Sequence, residues 1–231
     1  MPIADRILYE DNHLIIVNKL AGEIVQGDKT GDVPLVESVK EYLKVTYNKP
    51  GNVFCGLVHR IDRPVSGAVI FAKTSKALAR MNEIVKNRQI TKIYLALVEK
   101  APEVPEQHLT DYLFRNEREN KTYVSHTEKA GYAKAELSYR VLRQLTNYTL
   151  LEVELLTGRH HQIRAQLSAN GTVIKGDLKY GARRSNRDGS ISLHSYRVAF
   201  EHPVTHKPVA VTAPLSGEMA KIVGSDYVSE E

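Results

Sequence analysis

Two arginines bracket a single carboxylate in His59-Arg60-Ile61-Asp62-Arg63, at the edge of an apolar run. Positive charge within about 4–6 Å of Asp62 favours its ionised form. An ionised, partly desolvated carboxylate acts as a nucleophile or a base. The same pattern also builds structural ion-pair networks, and Asp62 lacks the second carboxyl group that a glycosidase or an aspartic protease requires. A second cluster, Thr157-Gly158-Arg159-His160-His161-Gln162-Ile163-Arg164, places a Thr-Gly turn before a helix. Exposed N–H groups there, with Arg159 and Arg164, suit phosphate or carboxylate. In a helix from His160 onward, His160 and Arg164 share a face. A third stretch, Lys92-Ile93-Tyr94, offers an aromatic ring for stacking on a base or for packing in the core.

The elements that hold these residues are mostly strands. Period-2 alternation over 148–155, 135–141 and 93–98 predicts half-buried strands. The apolar runs 14–17 and 68–72 predict strands buried on both faces, and 193–200 and 209–213 add two more. Helical spacing is confined to 34–47, with Pro34 at its start, to a helix capped by Ser75, and to 160–169. Strands and helices do not alternate regularly, so the pattern predicts an α+β fold around a mostly antiparallel sheet. The polar stretch 104–129 reads as a surface excursion able to close over a substrate. One domain over 1–223 and an acidic, frayed tail over 224–231 complete the expected organisation.

Cys55 is the lone cysteine among 231 residues, which excludes an intrachain disulfide and a cysteine-built metal site. No stretch has the length of a membrane span or the form of a signal peptide, so a soluble cytoplasmic protein is expected. Net charge is +5, yet residues 157–197 alone carry eight basic and two acidic side chains. All of the positive excess therefore lies in one segment, as for a polyanion-binding surface or simply a solvated basic face.

Taken in order along the chain, these motifs resemble the RluA-type pseudouridine synthases, which isomerise uridine in ribosomal and transfer RNA. The resemblance begins with Leu8 to Asp11 and Ile16 to Lys19 and is carried chiefly by His59 to Arg63 with Ser66-Gly67. It continues through Lys92 and Tyr94, the Thr157 to Arg164 block, Gly176-Asp177 and Tyr180-Gly181, and ends with Leu193 to Ser195 and Phe200 to Pro203. Three positions depart from the family pattern. Val65 replaces the usual threonine, which removes a hydroxyl that could brace the aspartate loop; Leu20 replaces a proline, and Gln166 a histidine. The family's frequent N-terminal S4 domain is not expected here.

The resemblance implies that Asp62 attacks the target nucleotide at the uracil or the ribose C1′, or removes the 2′ proton, that Tyr94 stacks on the uracil and helps remove the C5 proton, and that Arg164 pairs with Asp62. It implies no metal, nucleotide or electron-carrying cofactor. Arg60, Arg63, Arg159, His160, Lys175, Lys179, Arg183, Arg184 and Arg187 are then candidate RNA contacts. The expected partner is ribosomal or transfer RNA, bound by a monomer. Two other readings stay open at this point: a non-catalytic RNA-binding protein with the same fold, and a metal-dependent hydrolase using its histidines. The latter lacks a His-Glu-x-x-His spacing, and 202–208 reads as a turn between strands.

Overall fold

The computed structural model describes residues 1–28, 31–224 and 227. Contacts gather into two compact units, Met1–Ile90 with Ser195–Leu215, and Thr91–His194 with Ser216–Glu231. The expected tail from 224 lies outside the described residues except for Gly224 and Tyr227.

The first unit is built on β1 (Ile7–Glu10), β2 (Leu14–Lys19), β3 (Gly56–Leu57), β4 (Ser66–Ala72), β10 (Leu193–Glu201) and β11 (Pro208–Thr212). Its strands lie in the order β1-β2-β4-β10, with β3 paired to β4 and β11 to β10. β2 and β4 run antiparallel from Leu14↔Ala72 to Lys19↔Gly67. Every residue of both strands is buried, so both read as continuous apolar runs and lack alternation. Helix α1 (Leu35–Thr46) begins after Pro34, and its first amides donate to the carbonyls of Ile24 and Val25. Helix α2 (Ser75–Lys86) is capped by Thr74, whose hydroxyl accepts from the Ala77 amide; the cap is one residue earlier than expected. Met81 and Ala77 of α2 pack with Leu14, Ile16, Ile70 and Phe200 in one core.

The second unit orders its strands β5-β9-β8-β6-β7, each adjacent pair antiparallel. These are β5 (Ile90–Val98), β6 (Glu106–Asn116), β7 (Lys121–Ser125), β8 (Ala133–Gln144) and β9 (Thr149–Leu155). The stretch 104–129, expected as a surface excursion and given no strands, is largely a hairpin, with β6 also paired along β8. Its alternation was hidden because a buried position between Leu109 and Leu113 holds Asp111. Helix α3 (Gln162–Ala169) starts two residues later than expected, because His161 adopts the left-handed backbone (φ 51°). His160 thus precedes the helix and does not share a helical face with Arg164. A 3₁₀ turn at Leu178–Tyr180 and α4 (Gly217–Val223) complete this unit. The α+β class and the predominance of antiparallel pairing agree with the sequence.

Candidate active site

In the first unit, Asp62 opens a turn in which the Val65 amide donates to the Asp62 carbonyl at 3.0 Å. Asp62 is half-buried between buried Ile61 and Val65, whereas Arg60 and Arg63 are exposed. The Arg63 guanidinium reaches Asp32 at 2.6 Å, an exposed pair worth at most about 1 kcal/mol.

The turn is braced from β2. Lys19 is fully buried, and its ammonium donates to the carbonyls of Leu20 (2.9 Å), Glu23 (2.8 Å) and Arg63 (3.1 Å). Each of its three protons therefore has an acceptor. The Gly22 amide donates to the same Arg63 carbonyl at 2.8 Å. Glu23 in turn accepts from the Leu20 amide and from Arg6. Burial pushes the Lys19 ammonium down to about 7, while the charges of Glu23 and Asp62 act in the opposite direction. On the other side of the turn, Gly67 has φ 114°, and a Cβ there would lie 2.6 Å from the Ser195 amide nitrogen and closer still to its carbonyl oxygen. Only glycine fits at this position. Val65, where a threonine was expected to brace the loop, is 2% exposed, and the bracing comes from Lys19 and Gly22.

In the second unit, Tyr94 is buried on β5 opposite Val153. Lys92 lies two residues earlier, near Gly158, and burial lowers its pKa. Arg164 is buried on α3 and grips Asp177 with two bonds, Nε to Oδ2 at 2.7 Å and Nη2 to Oδ1 at 2.9 Å. Its guanidinium also lies over the Tyr180 ring at 5.1 Å. Paired charges of this geometry hold the side chain in one orientation.

The loop before α3 is held by uncharged side chains and, at the end of one chain of bonds, by the Asp111 carboxylate. The Tyr180 hydroxyl accepts from the Thr122 amide at 2.8 Å and lies 2.9 Å from His161 Nδ1. Burial, followed by the charge of Arg164, pushes His161 down to about 2. His160 stacks on His161 with ring centres 3.7 Å apart, and the Thr122 hydroxyl donates to the His160 carbonyl at 2.8 Å. A second chain runs from the Thr157 hydroxyl to Gln162 Oε1 (2.8 Å), from Gln162 Nε2 to Gln166 Oε1 (2.9 Å), and from Gln166 Nε2 to Asp111 (2.7 Å). The Arg159 amide also donates to Gln162 Oε1. Gln166, one of the three departures from the family pattern, thus completes a buried polar relay.

The remaining RNA candidates divide by exposure. Arg159, Lys179, Arg183, Arg184 and Arg187 are exposed, and His160 is half-buried. Lys175 is different: its side chain is 12% exposed, and its ammonium bonds Asn186 and lies 3.4 Å from Glu218. Among the described residues, no group of three His, Cys, Asp or Glu is gathered as metal ligands. His202 Nδ1 accepts the amides of Val204 and Thr205, which makes it part of the turn between β10 and β11. The bracing lysine and the Arg164 partner Asp177 went unassigned in the sequence, because nothing local links residues 44 or 13 positions apart.

The fold is that of the pseudouridylate synthases. The human RNA pseudouridylate synthase domain containing 4 superposes with a TM-score of 0.80 at 19% identity, covering 96% of this chain and 92% of that one. The human domain containing 1 protein gives 0.70 at 24% identity, over 91% and 83%. The chain belongs to the RNA pseudouridylate synthase family, whose model matches residues 13–169. It is similar to the ribosomal large subunit pseudouridine synthase C of Vibrio vulnificus, at 30% identity over 96% of this chain and 70% of the relative. The corresponding protein of Buchnera aphidicola from Acyrthosiphon pisum is 31% identical over 92% and 68%. The protein is thus an isomerase that forms pseudouridine in RNA.

Proposed function

We propose that this synthase modifies uridine in large-subunit ribosomal RNA, with Asp62 as its nucleophile, Tyr94 stacked on the uracil, and Arg164 supplying fixed positive charge to the reaction. The observation that carries the reading is the bracing of the Asp62 turn. Lys19 and Gly22 converge on the carbonyl of the next residue, Arg63, and this fixes the backbone from which the carboxylate projects. Asp62 adds to the uracil ring or to the ribose C1′. The N1–C1′ bond breaks, the base turns, a C5–C1′ bond forms, and the bond to Asp62 breaks with its electron pair returning to the carboxylate. The C5 proton then leaves, with Tyr94 as the candidate acceptor, while N1 gains a proton. The product is an isomer of the substrate, so atoms and electrons balance with no co-reactant.

A paired uridine must first leave its stack, at a cost of a few kcal/mol. Phosphate contacts from the exposed Arg159, Lys179, Arg183, Arg184 and Arg187, with Arg60, Arg63 and His160, offset that cost. RNA affinity then falls steeply with salt. The relatives' names support the ribosomal substrate, and such a substrate implies a cytoplasmic site of action. A monomer suffices for this mechanism.

The test is pseudouridine mapping of ribosomal RNA from cells with and without the protein. Loss of one mark, restored by wild type and not by Asp62→Asn, supports the proposal. A mark restored equally by Asp62→Asn removes the nucleophile assignment. Unchanged large-subunit RNA removes the substrate assignment.

A further inference from the structure

The outer face of the β6–β7 hairpin carries aromatic rings that neither the core nor the reaction uses. Phe114 and Tyr123 are direct cross-strand partners, and they stay 42% and 40% exposed although the next residue on each side toward the core, Leu113 and Thr122, is buried. Tyr132 extends the row, its ring centre 5.4 Å from that of Phe114 at an interplanar angle of 31°. The Tyr123 ring is held in place by a hydrogen bond from its hydroxyl to Glu119.

Ammonium groups accompany the rings. Lys121 lies 5.7 Å from the Tyr123 ring centre, and Lys129 lies 5.2 Å from that of Tyr132. Basic residues outnumber acidic ones five to three between Arg115 and Lys134. The hairpin is also fixed at its opposite face. Thr122 joins it to His160 and Tyr180, and Lys179 donates to the carbonyl of Asn120. The rings are therefore presented by the same hydrogen-bonded assembly that holds the Thr157–His161 loop.

We propose that this face is a stacking platform for unpaired bases of the substrate RNA, with Lys121 and Lys129 meeting the neighbouring phosphates. Open aromatic rings interleaved with lysines are the composition by which proteins hold single-stranded RNA with little base preference. A cross-strand pair serving the sheet alone needs neither the exposure nor the lysines. The proposal rests on the reading of this chain as acting on RNA, and not on the role of Asp62.

The experiment uses the full chain and a single-stranded oligouridine of about twelve nucleotides carrying one 2-aminopurine. Binding and 2-aminopurine quenching are measured across a salt series for wild type, Phe114→Leu, Tyr123→Leu and Phe114→Trp. Each leucine is expected to weaken binding about tenfold and reduce quenching, with the salt dependence unchanged; tryptophan restores both. Lys121→Gln and Lys129→Gln are each expected to lower the slope of log affinity against log salt by about 0.7.

Wild-type affinity and quenching in both leucine variants would overturn the platform. So would an equal loss on duplex RNA, or no rescue by tryptophan in a variant whose melting temperature matches wild type. If Asp62→Asn retains activity, the nucleophile assignment fails while the platform result stands.

Discussion

The Asp62 turn and the loop before α3 are both positioned by buried polar groups, but they concentrate the task differently. At Asp62 one ammonium, Lys19, meets three backbone carbonyls, and one amide shares the third. At Thr157–His161 the task is spread over Thr122, Tyr180, Gln162, Gln166 and Asp111, each with more than one partner. A concentrated brace fails when one residue is lost, whereas a distributed one degrades in steps.

Substitutions measure that difference. Gly67→Ala is expected to be the most damaging, at about 4 kcal/mol or more, because the alanine backbone is strained at φ 114° and its methyl meets the Ser195 backbone. Chemical denaturation reads this, and a loss under about 1 kcal/mol would mean that the strand shifts freely. Lys19→Met retains the side chain's length and leaves buried carbonyls without a donor, for an expected loss of about 3 kcal/mol and a sharp fall in turnover. Gln162→Ala is expected to cost less, about 2 kcal/mol. Thr157 keeps its bonds to Glu136, and Gln166 keeps Asp111. Equal losses at Lys19 and Gln162 would erase the contrast.

The two regions also differ in the pH at which they respond. Both Lys19 and His161 are bases whose folded pKa lies below the unfolded value, so the unfolded chain binds the extra proton. Lys19 drops from 10.5 to about 7, and the stability of wild type relative to Lys19→Met therefore rises between pH 7 and 10.5. His161 drops from 6.5 to about 2, and its contribution is full above 6.5 and lost gradually as pH falls below that value. Urea titrations of wild type, Lys19→Met and His161→Gln at several pH values check both slopes.

The sequence made the strands of the buried sheet legible, since runs such as 14–17 and 68–72 have no other way to hide their side chains. It made the hairpin illegible for an equally physical reason, because the buried Asp111 interrupts the apolar pattern of β6. The start of α3 was misplaced by a single left-handed residue, His161, of a type that gives no warning. The family resemblance singled out Asp62, Tyr94 and Arg164 as site candidates. It could not show that Arg164 is engaged by Asp177, or that Lys175 turns toward Asn186 and Glu218, because these pairings are set by tertiary packing.

The discontinuity of the first unit also governs the order of assembly during synthesis. Met1–Ile90 receives β10 and β11 only from Ser195–Leu215. A ribosome adding about 5–20 residues per second needs several seconds to make the intervening segment. During that interval the apolar edge of β4 waits uncovered, while strands β5 to β9 can already pair with one another. Pairing among β5 to β9 is thus available before the aspartate-bearing unit is closed by the last two strands to emerge.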